Sequence, residues 1–172
     1  MRRLALFLLL ALTADTAAFA LRGRLSEFID SAAWLLLFAL FLLETLPRRA
    51  FAGRSMTAVH LLRFLATAAV LWAAVAYGLE GEWADALQAW LWIGVVILLE
   101  VELRFDRPAL RPLFVVAAGL LYGALLLFIP YWLWQGEWLN ALDAALWLAA
   151  FFLLELDVLG RMSAPAPQRF RR

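Results

Sequence analysis

The chain has 172 residues, 66% of them hydrophobic and 17% charged, with a net charge of +1 and a mean hydropathy of +0.85. A water-soluble domain carries about 45–50% apolar and about 25% charged residues, so no aqueous fold of this length hides the excess, and a bilayer is the natural solvent. The near-neutral balance gives no reason to expect a nucleic-acid partner. The absence of cysteine removes disulfides, thiolate metal sites and cysteine nucleophiles, and a single histidine, His60, rules out bis-histidine haem and multi-histidine metal centres.

Crossing about 30 Å of hydrocarbon takes roughly 20 apolar residues in a helix. Six stretches qualify: residues 4–21, 28–46, 60–79, 83–103, 112–134 and 138–159. In the first, Arg2 and Arg3 precede an apolar run and Thr16-Ala17-Ala18-Phe19-Ala20, which is also the form of a secretory signal peptide. The repeat described below needs this helix as a partner, so retention is expected. The same stretch holds Asp15, flanked by Thr13 and Thr16. An ionisable residue within a span is a functional candidate by default. Asp15 is also only about two turns from the end of its stretch, near enough to snorkel or to meet Arg22, and this structural reading is preferred over an ion or proton role. Tyr77 and Tyr122 are its candidate hydrogen-bond partners.

The third stretch opens with His60 and Arg63 on one face, read as interfacial anchors, and carries the small residues Ala66, Ala69 and Ala73. The fifth carries Gly119 and Gly123 in GxxxG spacing, which suits close packing inside the chain or, as a second option, a dimer contact. Pro130 predicts a kink or a stop near its end. Residues 162–172, with Pro165, Pro167 and a basic end, read as a disordered cytoplasmic tail.

All fifteen basic residues are arginine, a bias that suggests a GC-rich bacterial genome. Threaded through six spans, thirteen of them fall on one side, and only Arg22 and Arg24 fall on the other. The positive-inside rule places that first side, and both termini, in the cytoplasm. The outer turns are acidic, with Glu27, Asp30, Glu80, Glu82, Asp85, Glu137 and Asp143. Trp83, Trp132, Trp134 and Trp138 stand at the outer boundary, where amphipathic rings anchor well.

A shift of 55 residues aligns Gly81-Glu82-Trp83 with Gly136-Glu137-Trp138, Trp92 with Trp147, and Leu98-Leu99-Glu100 with Leu153-Leu154-Glu155, with about half of the positions between identical. Glu27-Phe28 and Leu42-Leu43-Glu44 form a weaker third copy, one residue shorter. The sequence therefore predicts an all-α integral membrane protein of six transmembrane helices, built as three repeated antiparallel helical hairpins. Residues 1–161 form one transmembrane domain, with hairpins at about 1–47, 57–104 and 110–160.

Two recurrent polar sets follow from the repeat. Asp85, Gln88 and Trp92 recur as Asn140, Asp143 and Trp147, one stripe along a helix. The stripe reads as a lock for the hairpin turns, with a Trp-roofed vestibule for a small cation or amine as the alternative. Glu44, Glu100 and Glu155 each close an even-numbered helix, where the helix dipole disfavours a carboxylate. Arg3, Arg63 and Arg111, or Arg48, Arg107 and Arg161, are their expected partners in a cytoplasmic belt of ion pairs, the competing idea being a three-carboxylate cation site.

Ser26, Ser31, Ser55 and Ser163 lack a nucleophile-elbow context, and no glycine-rich phosphate loop is present. No catalytic residue, cofactor or metal site is expected. The expected partners are the bilayer itself, anionic lipids at the cytoplasmic face, and other membrane subunits or a second copy of the chain. The sequence suggests a multi-pass inner-membrane protein acting as a non-enzymatic accessory, assembly or scaffold subunit. A small transporter or channel for a cation or small solute is the alternative.

Overall fold

The computed structural model describes residues 2–44, 54–104 and 108–162. Among these are six α-helices and no strand: α1 (Arg2–Arg22), α2 (Leu25–Glu44), α3 (Arg54–Glu80), α4 (Trp83–Arg104), α5 (Arg111–Gln135) and α6 (Trp138–Met162), with a 3-10 turn at Pro108–Leu110 leading into α5. Four segments are long and apolar enough to cross a membrane: Leu25–Leu43, Met56–Glu80, Trp83–Glu102 and Arg111–Gln135. Trp138–Leu153 in α6 is a shorter apolar stretch. The tail, 163–172, lies outside the described residues.

Three short connections join α1 to α2, α3 to α4, and α5 to α6, and cross-links between them place all three at one end of the bundle, the turn end. Gly81 and Gly136 have φ of +84° and +81°, a left-handed conformation that costs a side-chain-bearing residue roughly 1–2 kcal/mol. In each case the two residues that follow the helix bond back into its last turn: Gly81 N–H to Gly78 O and Glu82 N–H to Tyr77 O, then Gly136 N–H to Leu133 O and Glu137 N–H to Trp132 O. The first turn is built differently. Glu27 accepts the Arg24 backbone N–H at 2.6 Å, the return arm of a capping box, so α2 starts at Leu25 and not at residue 28 as the apolar run implied. A Cβ on Gly23 would stand 2.7 Å from Glu27 Oε2 and 2.9 Å from Phe19 O, so this approach admits glycine alone.

Each helix packs on its neighbours in chain order, and α6 packs back on α1, closing a ring. Small residues bring α3 close to both its neighbours: Ala66 and Val70 meet Ala33 of α2, and Ala73, Ala74 and Tyr77 meet Ala86 and Ala89 of α4. The even-numbered helices lean inward. Trp34 and Phe38 of α2, Trp92 of α4, and Trp147 and Phe151 of α6 converge in an aromatic layer, with Trp92 and Phe151 stacked at 4.8 Å and Trp34, Phe38, Trp147 and Phe151 in tilted or edge contacts at 6.1–6.5 Å. Leu8, Leu12, Val95, Leu125 and Ala150 pack with this layer in one apolar core. The outward faces of α1, α3 and α5 are also apolar, with Phe7, Phe64, Leu120 and Leu127 each more than 60% exposed.

Two local expectations are corrected. Of the kink or stop expected at Pro130, the stop does not occur: the helix continues to Gln135, one residue past the 112–134 stretch, and terminates at the left-handed Gly136. Gly119 and Gly123 do not pack inside the chain: they lie on the exposed face of α5, and a Cβ on either would meet nothing within 4 Å.

Candidate functional site

The buried polar side chains among the described residues gather toward the turn end. Arg24, between α1 and α2, is their one basic hub. Its guanidinium bonds Glu27 and Asp85 at 2.8 Å each and pairs with Glu82. Burial works against the Arg24 charge, but hydrogen bonds and attraction from Glu27 and Asp85 outweigh it and raise its pKa. An arginine that the charge asymmetry marked as an exception is thus the counter-ion of the acidic turns.

Further bonds tie the helices together below this hub. Ser26 Oγ donates to Glu80 at 2.7 Å, Thr16 and Ser31 share a hydroxyl bond at 2.8 Å, and Tyr77 Oη donates to Asp30 Oδ2 at 3.3 Å. Trp132 Nε1 donates to Gln88 at 2.6 Å. Trp132 is buried, so it is a lock between α5 and α4 and not a boundary anchor, whereas Trp83, Trp134 and Trp138 are exposed.

Between these groups lies a cavity lined by acids and aromatics, reaching from Glu27 and Asp85 at the turn end down to Trp34, Trp92, Trp147 and Phe151. About 40 Å³ of it is open to the centre of a water molecule, space on the order of two or three waters. Asp30 and Asp143 each turn a buried Oδ1 with no hydrogen-bond partner within this region. Behind the lining, Asp15 is 4% exposed, neither of its oxygens has a partner, and its carboxyl group lies within hydrogen-bonding reach of that of Asp143. The Trp147 indole is in reach of Asp143, and the Trp34 indole of Asp30. Among the described residues, no salt bridge is formed by Asp15, Asp30 or Asp143, and no three His, Asp or Glu side chains are arranged to hold a metal ion.

The recurrent stripe combines helix-to-helix locks with the lining of a cavity. Asp85, Gln88, Trp92, Asn140, Asp143 and Trp147 all line the cavity, while Asp85 and Gln88 also act as locks. Asp15 faces Asp143 of α6 and neither snorkels nor meets Arg22, because its helix position points it into the ring. Tyr77 bonds Asp30, not Asp15. Glu100 bonds Arg104 of its own helix at 2.7 Å, one turn away, in place of an arginine from an odd-numbered helix. The side chains of Glu44 and Glu155 lie outside the described residues, as do those of Arg3, Arg48, Arg107 and Arg161. His60 is exposed.

Sequence reasoning missed Arg24, Asp30, Ser31 and Trp34 as members of the site. A signal for Asp30 was present: it follows Glu27 by three residues, as Asp85 follows Glu82 and Asn140 follows Glu137. Trp34 was hidden because it follows Glu27 by seven residues, whereas Trp92 and Trp147 follow Glu82 and Glu137 by ten. No protein-family model, curated protein or solved structure matches the chain.

Proposed function

We propose that the chain is a multi-pass inner-membrane protein of six transmembrane helices, three repeated hairpins with cytoplasmic termini, that serves as a non-enzymatic accessory, assembly or scaffold subunit of a membrane complex. The observation that carries this reading is the contrast between its surfaces and its interior. Apolar side chains cover the outward faces, while the interior beyond the aromatic layer is filled by Leu8, Leu12, Val95, Leu125 and Ala150. A conduction path wants polar groups along its whole length, and that filling leaves none. Among the described residues, the buried polar side chains lie toward the turn end, where most of them tie one helix to another.

Transport of a cation or small solute remains the second reading, favoured by the unpartnered oxygens of Asp15, Asp30 and Asp143 beside a cavity. Gentle detergent extraction followed by native gel and mass spectrometry separates the two. The expected result is migration with a larger assembly of other chains, and a lone oligomer would shift the balance to transport. Topology is tested independently: reporters after Arg54 and Arg172 should read cytoplasmic, and those after Gly81 or Gly136 external. An external signal at Arg54 would end the six-span arrangement.

A further inference from the structure

Asp15 and Asp143 approach each other from α1 and α6, the two helices whose contact closes the ring. As carboxylates they present acceptor to acceptor, and neither oxygen of Asp15 has a donor. Two buried negative charges at hydrogen-bonding range repel strongly, and desolvation adds to the cost. One proton placed between them turns the same contact into a short, charge-assisted hydrogen bond. We propose that Asp15 and Asp143 form a proton-binding site in which the two carboxyl groups share a single proton, reached from the turn end through the cavity that Asp143 lines.

Three observations select a proton over a larger ligand. The space beside the pair admits only about 40 Å³ of water centres, too little for an organic amine. No three acidic or histidine side chains converge on one point among the described residues, whereas a calcium or magnesium ion needs about six or more oxygen ligands. The carboxyl groups already stand within hydrogen-bonding reach of each other, so a proton needs no further ligand.

Groups from α2, α3 and α4 lie around the pair. From α2 comes Asp30, from α3 Tyr77, and from α4 Asp85, which is already neutralised by Arg24. Asp30 places a further carboxyl group near Asp143. Trp147 offers Asp143 a neutral donor. On the far side, the aromatic layer and the apolar core seal the pair from the other end of the bundle. By depth, Asp15 stands seven residues before Arg22, about 10 Å into the bundle at 1.5 Å per residue. A proton reaching the pair through the cavity thus comes from the compartment that bathes the turns, which on the proposed topology is the outside.

Because the proton binds the folded state and not the unfolded chain, stability follows proton activity by mass action. The test uses the full chain purified in detergent, with melting temperature followed between pH 5 and 9 in choline chloride and repeated in sodium chloride of equal ionic strength. The parent is expected to lose roughly 3–5 °C per pH unit while the folded pair holds a proton that the unfolded chain has released, and to level off once the folded pair gives it up, equally in both salts. Asp143→Asn and Asp15→Asn each supply an amide donor in place of the proton and should flatten that slope. Infrared difference spectra of the parent should show the carbonyl stretch of a protonated carboxyl group, lost in either variant. Two variants and a measurement on the parent alone keep the test decisive if one variant folds poorly. A parent slope unchanged in both variants, a parent without a protonated-carboxyl band at neutral pH, or a melting point that rises with sodium and not with protons would each overturn the assignment. These readouts need no partner chain, so their failure would leave the accessory-subunit reading untouched.

Discussion

Two acidic groups at the turn end are made of the same residue types and resolved in opposite ways. On one side Glu27, Glu82 and Asp85 surround Arg24, and every charge has a counter-charge within direct contact. On the other, Asp15 and Asp143 face each other with no arginine between them. The first group is partly open to solvent, with Arg24 36% and Glu82 46% exposed, whereas Asp15 is 4% exposed. The acids around Arg24 share a counter-charge, and the buried pair Asp15 and Asp143 has none. Stability accounts for the first arrangement and does not account for the second, which is why the chemistry is assigned there.

The largest effect is expected where the paired group loses its hub. Arg24→Gln keeps a polar side chain but leaves Glu27 and Asp85, 13% and 12% exposed, without a positive charge. Breaking a fully buried pair costs about 3–5 kcal/mol; with the hub one-third exposed, solvent screening reduces this to about 2 kcal/mol, a fall of roughly 4–8 °C in Tm. The raised pKa of Arg24 keeps it charged across the workable pH range. Its contribution is full below the unfolded value and would be lost only above the folded one, so no alkaline loss assignable to Arg24 should appear in the parent. The deficit of the variant should shrink toward acid, where the orphaned carboxylates protonate. A deficit that grows on acidification would show that Arg24 is not their counter-ion.

Much of the fold was legible because the signals for it are local. The number of helices and the starts of α4 and α6 at Trp83 and Trp138 follow from apolar run length. The boundary errors are local as well: Glu27 capping Arg24 moved the start of α2 to Leu25, and α3 starts at Arg54, ahead of the apolar run that opens at residue 60. The site was legible only in part. The stripe of Asp85, Gln88, Asn140 and Asp143 emerged from the repeat, but which carboxylate meets which depends on the closure of α6 on α1, a contact between the first and last helices that no spacing encodes. Asp15 lies outside the repeat pattern altogether, so its partner had no counterpart elsewhere from which to be inferred.

A middle-sized effect tests whether a neutral lock behaves like the charged one. Trp132→Phe removes the donor to Gln88 and leaves a buried amide oxygen unsatisfied, at a cost of about 1 kcal/mol or roughly 2–4 °C in Tm. Gln88→Leu alone strands the indole N–H and should cost a similar amount. The double variant should cost less than the sum of the two, because removing both partners leaves nothing unsatisfied. Strict additivity in thermal melts would show that the 2.6 Å contact carries no coupling.

The smallest effect is expected at the opposite end, and it bears on how far the paired-acid pattern extends. Glu100 was expected to join α4 to an odd-numbered helix, which would make it part of the scaffold that holds one hairpin to the next. Its observed partner, Arg104, is on the same helix face one turn later, with the two side chains 56% and 72% exposed. An exposed i,i+4 pair contributes about 0.3–0.5 kcal/mol, and the carboxylate gives some of that back by standing near the C-terminal end of the helix dipole. The two terms nearly cancel. Glu100→Gln should therefore move Tm by less than about 1–2 °C, and adding salt should move the parent and the variant together, since screening acts on both terms. An interhelical belt predicts otherwise: a loss comparable to that of Arg24→Gln, diminished by salt in the parent alone. That outcome, read from melting curves at low and high ionic strength, would place Glu100 among the residues that hold the helices together and erase the contrast between the two ends of the bundle.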